Sequence, residues 1–462
     1  MISAVKFDRA GTALFTGGQG RPLSYRELGQ LVEANRQLLR GLPRPALAFQ
    51  LCPNSASAVA AYLACLAERV PLGLGEPAVA LRERVVTAYE PTALILPVGE
   101  RGGADYEVAG NLAGGELVLW HRQGRGYPVR PHPDLALLLA TSGSTGDAKF
   151  VRLSHANLEA NARSIAQYLE LGPDDVAIQS LPMHYSFGLS VMNSHLTAGG
   201  TVALTGHSFM RPEFWKVVDA CGCTSFAGVP YMYETLHRLR IKPTEHSSLR
   251  TITQAGGHLR VELARHFQEA AKDRGARFFV MYGQTEATAR IAYVPPERLA
   301  EKFGSIGIAI PGGRLWLEAV DGESNQLFYS GPNVMMGYAT GPAGLARGDE
   351  LGGVLATGDL AECDGDGFYR ITGRLARFAK LFGKRVSLAS IEGEIEGAFP
   401  VRAAVTDGGD QLKIFLEGGD YADAVRSHLA SLLGVPPLAI KTMNIGRLPM
   451  TTSGKKDYKA LT

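Results

Sequence analysis

Over roughly the first three hundred residues, short apolar runs alternate with stretches of helical period, and this alternation constrains the fold more than any other feature of the chain. Pro45 to Leu51, Leu94 to Pro97, Leu135 to Ala140, Val176 to Leu181 and Thr201 to Leu204 are brief and almost continuously apolar, as strands buried on both faces must be. Between such runs, Tyr25 to Leu42 places Leu28, Leu31, Val32, Ala34, Leu38 and Leu39 at helical spacing behind Ser24, the expected cap. Asn54 to Glu68 reads as a small-residue helix capped by Asn54, and Ala156 to Leu169 as another helix. Strands buried on both faces need helices over both, so the prediction is an α/β fold of stacked β/α layers. The 55 glycines, dispersed rather than clustered, suit many tight strand-to-helix turns.

The pattern changes beyond about Gly304. Arg314 to Glu318, Asn325 to Tyr329 and Gly367 to Thr372 are shorter β-like runs broken by Gly, Asp and Pro, which predicts a small β subdomain over residues 303–374. After Arg374 the signals are a helix at Ile391 to Ala398, strands at Ala403 to Thr406 and Leu412 to Glu417, and a helix at Ala422 to Leu433. Residues 375–462 are therefore expected to form a small α+β domain joined by a short hinge to a large domain over residues 1–374, a division that 462 residues accommodate.

Charge and composition exclude several classes of partner. Forty-seven basic residues stand against forty-five acidic ones, so no net field favours nucleic acid or an anionic membrane. The longest apolar runs fall far short of the roughly 20 residues that cross a bilayer, and Met1 to Phe7 lacks the core of a signal peptide. A cytoplasmic protein with a small-molecule partner is expected. Five cysteines without metal spacing, among them Cys221 and Cys223, read as free thiols in a reducing compartment.

Thr141-Ser142-Gly143-Ser144-Thr145-Gly146, followed by Lys149, concentrates freed backbone N–H groups, rotatable hydroxyls and a cation between a strand and a helix. Such a loop suits a phosphate, and it equally suits an ordinary strand-to-helix turn, because turns collect the same residues. It is not the G-x-x-x-x-G-K-[ST] phosphate loop, a pattern absent here and at Ser453-Gly454-Lys455.

Three further stretches, in order, settle how that loop is read: MYGQTEAT at Met281 to Thr288, ATGDLAECDGDGFYRITGR at Ala356 to Arg374, and LPMTTSGKKDYKAL at Leu448 to Leu461. With TSGSTGDAK at Thr141 to Lys149, they make the chain resemble the adenylate-forming superfamily of acyl-CoA synthetases, peptide-synthetase adenylation domains and luciferases. The resemblance implies ATP-dependent activation of a carboxylic acid to acyl-AMP, then transfer to a thiol, either CoA or carrier-protein phosphopantetheine. By the same resemblance the loop 141–146 and Lys149 hold the ATP phosphates, Glu286 binds Mg2+, Thr285 meets the α-phosphate, Tyr282 lies against the adenine, and Gly256 belongs to the cofactor site. Asp359 and Arg374 take the ribose, and Lys455 bridges the substrate carboxylate and the α-phosphate. The acid pocket is expected to draw on His184, Phe187, Gly228, Ala255 and Gly257.

The physics agrees. ATP carries roughly four negative charges, and a carboxylate must approach it, so cations and hydrogen-bond donors have to gather where the two meet. Lys456 and Lys459 are read as surface charges beside Lys455. The sequence departs from the family pattern at the hinge, where the usual Asp or Lys is replaced by Ala376, although Lys380 and Gly383 match the segment expected to enter the site after the small domain rotates. In place of the Asp that pairs with a substrate amine in amino-acid-activating relatives stands His184-Tyr185-Ser186-Phe187, which favours an acid without an α-amino group. An amino-acid adenylation enzyme loading a carrier protein, and a nucleotide-binding protein that has lost ligation, are the alternatives.

Overall fold

The structure, a computed structural model, describes residues 5–16, 21–124, 126–140, 149–320, 325–375, 378–381, 384–409, 411–451 and 456–461. Two compact units emerge, one of residues 1–314 with 329–355, the other of 315–328 with 356–462.

The first unit contains two large sheets. In the nine-stranded sheet the strands Arg277–Tyr282, Thr251–Gln254, Ser225–Gly228, Val176–Gln179, Thr201–Leu204 and Thr12–Thr16 run parallel in that spatial order. The eight-stranded sheet has Leu135–Ala140, Leu72–Gly75, Ala48–Leu51 and Ala93–Pro97 as its parallel centre, with antiparallel strands on both sides. The continuous apolar runs become these inner strands. Leu137, Leu138, Leu139, Phe49 and Leu94 are fully buried, because each faces packed side chains on both sides of its sheet.

The helix expected behind Ser24 spans Tyr25–Arg40, and Ser24 and Glu27 form a reciprocal capping box at its start. The second helix differs from expectation at its cap: it spans Ala56–Ala67, and Ser55, not Asn54, accepts from the N–H of Ala58. Asn54 is occupied elsewhere. Its side-chain amide donates to the Leu181 carbonyl (3.1 Å) and its oxygen accepts the Met183 N–H (2.8 Å), tying the two loops together. A long-range partner has outcompeted the local one. The helix Ser186–Ala198, buried along most of its length, was not foreseen, since its apolar residues surround it on all sides and leave no periodic stripe.

The second unit contains most of a four-stranded sheet whose order is Arg314–Ala319, Asn325–Ser330, Val354–Cys363, Tyr369–Arg374. Its C-terminal part has the three-stranded sheet Arg402–Asp407, Leu412–Glu417, Ile440–Asn444 under the helices Leu388–Ala398 and Ala422–Leu433. Ile395, Val405, Ile414, Val425 and Leu429 form part of the core of that layer. Cys52, Cys65, Cys221 and Cys223 are buried free thiols, and Cys363 is exposed. No helix among the described residues is long and apolar enough to cross a membrane.

Candidate active site

The strand Arg277–Tyr282 ends in a tightly folded loop that presents Thr285 and Glu286. Gly283 permits the fold, since a Cβ there would lie 1.8 Å from the Ala289 carbonyl oxygen. The Ile291 N–H donates to the Tyr282 carbonyl (2.9 Å), closing the loop at its base, while the Thr288 N–H donates to the Thr285 carbonyl (2.9 Å). Thr288 sits at φ 64°, a costly value for a β-branched residue. Its hydroxyl donates to the Asn333 carbonyl at 2.7 Å, and the Asn333 amide donates to the carbonyls of Ala287 and Arg290, both at 2.8 Å. Asn333 thereby holds both sides of the strained residue, and Tyr329 fixes it through a 2.7 Å hydrogen bond to its side-chain oxygen.

Glu286 is positioned from the same segment. The Met335 N–H donates to the Glu286 carbonyl (2.9 Å), and the Tyr338 hydroxyl donates to its carboxylate at 2.8 Å. Lys149 places its ammonium 3.6 Å from the centre of the Tyr338 ring. The proximity follows from strand pairing, because Gly337–Ala339 runs antiparallel to Phe150–Ser154 with Tyr338 opposite Val151. Burial and the neighbouring Glu286 charge both push the Tyr338 pKa up, so the hydroxyl keeps the proton it donates. The result is a carboxylate and an ammonium held on one aromatic ring. Sequence reading found the two charged groups and missed Tyr338 and Asn333, which lie about fifty residues downstream and belong to no periodic pattern.

The acid-pocket residues are partly brought together. Ser186 and Thr285 hydroxyls meet at 3.2 Å, and the rings of Tyr185 and Phe187 are 6.3 Å apart, edge to face. Gly256 has φ +89°, and a Cβ there would come within 2.5 Å of the Tyr185 hydroxyl, so this glycine is needed both for its backbone and for the ring beside it. Ala255 donates its N–H to the Gly228 carbonyl (3.3 Å), and the Gln254 side chain donates to the Gly257 carbonyl (2.9 Å). His184 is half-buried, and desolvation lowers its pKa, leaving a neutral imidazole at pH 7. Tyr282 is half-buried and accepts from the Gln284 amide at 3.0 Å.

In the second unit Asp359 and Arg374 are directly opposite on paired strands, with the guanidinium Nε 2.5 Å from the carboxylate. The Asp359 side chain is 2% exposed while that of Arg374 is 54% exposed, so the arginine covers the buried carboxylate from the solvent side. Thr141, Ser142, Gly143, Ser144, Thr145, Gly146, Ala376, Gly383 and Lys455 lie outside the described residues, as does the side chain of Lys380.

The reading of Lys456 as a surface charge is corrected. Its ammonium donates to Glu396 (2.8 Å) and Glu392 (3.2 Å), with its side chain only 18% exposed, and Tyr458 also donates to Glu392 (2.9 Å). Burial alone would lower the Lys456 pKa, but the two carboxylates outweigh it and hold the pKa above the usual lysine value. Met450 pairs with Lys456 across an isolated bridge, so both flanks of the segment carrying Lys455 are anchored within the second unit.

The single Glu286 carboxylate fits a phosphate-bound Mg2+, because that ion takes one or two protein carboxylates and completes its shell from phosphate and water, while the Lys149 ammonium suits the phosphate charge. Among the described residues no group of three or more His, Cys, Asp or Glu could hold a metal unaided.

Residues 4–339 match the family model described as AMP-binding enzyme. Among curated relatives, feruloyl-CoA synthase of Amycolatopsis sp is 33% identical over 287 residues, covering 60% of this chain and 56% of the relative. Phenyloxazoline synthase MbtB of Mycobacterium tuberculosis is 27% identical over 468 residues, covering 94% of this chain and 32% of the relative. The chain thus spans about half the length, or less, of these curated relatives. The solved structure of o-succinylbenzoate CoA synthetase (MenE) from Bacillus subtilis with the acyl-adenylate OSB-AMP aligns at TM-score 0.78 and 21% identity, over 100% of this chain and 97% of that one. ATP-bound MatB from Rhodopseudomonas palustris aligns at TM-score 0.75 and 24% identity, over 98% and 95% respectively. These likenesses establish the fold, an α/β arrangement shared with those enzymes along the full chain.

Proposed function

We propose, because this chain belongs to the AMP-binding enzyme family, that it activates a carboxylic acid with ATP and passes the acyl group to a thiol. The carboxylate oxygen attacks the α-phosphorus of ATP, the bond to pyrophosphate breaks, and acyl-AMP forms. A thiolate then attacks the acyl carbon, and AMP leaves. The observation that carries this reading is the Tyr338 ring, which holds the Glu286 carboxylate at 2.8 Å and the Lys149 ammonium at 3.6 Å. That pair suits a magnesium-bound triphosphate: the carboxylate takes the metal and the ammonium takes phosphate charge.

In this reading the loop 141–146 with Lys149 holds the phosphates, Thr285 meets the α-phosphate, Tyr282 lies against the base, Gly256 belongs to the cofactor site, and Asp359 with Arg374 binds the ribose. Mg2+ at Glu286 supplies charge neutralisation and polarises the phosphate. Lys455 supplies the charge that offsets the meeting of carboxylate and α-phosphate. The thiol is CoA, in keeping with relatives named as CoA synthetases, or a carrier-protein phosphopantetheine. Hydroxylamine-trapped pyrophosphate release over a panel of aryl, fatty, short and amino acids tests the reading. At least one acid is expected to give release dependent on both acid and Mg2+; ATP binding without release for any acid would support a nucleotide-binding protein instead.

A further inference from the structure

Arg152 is completely buried, and it pairs at 2.5 Å with Glu350, a carboxylate whose side chain is 37% exposed. Taking a guanidinium out of water costs more than one half-solvated partner returns, and burial pulls the Arg152 pKa below its ordinary value. Its Nε–H has no hydrogen-bond partner either. Apolar side chains of similar volume commonly serve as well or better in such a place, so the buried charge has to be explained by what it holds.

What it holds is the strand that carries Tyr338. The guanidinium donates to the carbonyls of Met336 (2.9 Å) and Arg347, and the Arg152 carbonyl accepts the Met336 N–H (2.8 Å). Glu350 reinforces the same strand. Its N–H donates to the Met336 carbonyl (2.9 Å), and its second carboxylate oxygen accepts from Arg347 (2.7 Å), whose guanidinium also donates to the Tyr338 carbonyl (2.7 Å). Met336 and Tyr338 are thus held on either side of Gly337, which lies opposite Arg152 on the paired strand. Gly337 has φ +123°, and a Cβ there would run into both the Glu350 carboxylate and the Arg152 guanidinium, so the ion pair closes directly over the backbone.

From this clamp the path to the candidate metal ligand is short. Met335, one residue before Met336, donates its N–H to the Glu286 carbonyl (2.9 Å), and the Tyr338 hydroxyl donates to the Glu286 carboxylate (2.8 Å). The segment from Met335 to Tyr338 is therefore fastened to Glu286 at both ends and to Arg152, Arg347 and Glu350 between them. We infer that Arg152 and Glu350 are positioning residues: acting through Met336 and Tyr338, the buried pair fixes the Glu286 carboxylate in the orientation in which it takes Mg2+. The inference rests on the adenylation reading above and adds to it two residues that lie outside its motifs.

ATP binding should be measured by calorimetry, over a Mg2+ titration and in EDTA, for the wild type and the double variant Arg152→Met/Glu350→Met. Removing both charges together leaves no lone buried cation to unfold the chain. The Mg2+ concentration for half-maximal tightening of ATP binding is expected to rise about 10- to 100-fold, as for other groups that orient metal ligands, with metal-free ATP binding unchanged. An unchanged Mg2+ requirement overturns the inference, and so does an equal loss of ATP binding with and without the metal, which is the mark of a merely structural pair. Should the double variant fail to fold, Arg152→Lys gives the same comparison, because it keeps the charge and loses the fork that reaches two carbonyls; a shift in the same direction is expected, and none overturns the inference. If the wild type binds ATP but releases pyrophosphate with no acid, the adenylation reading fails while the Mg2+ comparison still decides the positioning role. If it binds no ATP, both fall.

Discussion

At the scale of single residues, the candidate site depends on side chains that motif reading does not reach. MYGQTEAT identifies Tyr282, Thr285 and Glu286, yet the strain at Thr288 is relieved by Asn333 and the Glu286 carboxylate is oriented by Tyr338. These partners are adjacent only after the chain folds. Removing the Tyr338 hydroxyl while keeping the ring leaves the contact with Lys149 and deletes the hydrogen bond to Glu286. Tyr338→Phe is therefore expected to raise the Mg2+ concentration needed for half-maximal pyrophosphate release about tenfold, the worth of roughly 1.4 kcal/mol, with little change in unfolding midpoint; an unchanged titration would show that the hydroxyl does not orient the carboxylate. Asn333→Ala takes one donor from each of the carbonyls of Ala287 and Arg290, which keep the Ala289 N–H (2.7 Å) and the Asn161 amide (3.4 Å), and it takes the side-chain acceptor from the Tyr329 hydroxyl. A loss of about 2–4 kcal/mol in urea unfolding is expected, above the range of surface substitutions. A loss under 1 kcal/mol would mean that the loop keeps its shape unaided.

At the scale of elements, the strands were legible because burial on both faces writes itself as continuous apolar runs, as at Leu135–Ala140 and Thr201–Leu204, which coincide with expectation end to end; Leu412–Glu417 does so too, with its apolar residues buried beside the half-buried Lys413 and Glu417. Caps were less legible, because a capping residue such as Asn54 can be claimed by another loop. The helix His155–Tyr168 begins on a residue with a pH signature. Burial pushes the His155 pKa down to about 4, its Nε2 has no partner, and its place at the positive end of the helix dipole disfavours a second positive charge. The folded state therefore binds fewer protons than the unfolded state between the ordinary histidine pKa near 6.5 and about 4. The stability it contributes is complete above that window and is lost as pH falls through it. Urea midpoints measured from pH 7.5 to 4.5 should fall more steeply for the wild type than for His155→Gln; parallel curves would mean that His155 titrates alike in both states.

At the scale of the whole molecule, the order of four motifs along one chain is what identified the family, and no single element could have done so. Each motif alone reads equally well as a turn, a helix start or a basic tail. What sequence could not convey is how the second unit secures the segment around Lys455. Lys456, taken for a solvated charge, is bound by Glu392 and Glu396, whose helix positions only the fold brings to the tail. The central claim is that this chain joins a carboxylic acid to AMP with Lys455 offsetting the charge of the two reacting anions. Acid-dependent exchange of labelled pyrophosphate into ATP measures that step directly. The wild type is expected to exchange label only when its acid is present, and Lys455→Ala to lose at least about a hundredfold of that rate, the scale of one transition-state charge contact. Exchange in Lys455→Ala at the wild-type rate, or no acid-dependent exchange in the wild type, would contradict the account.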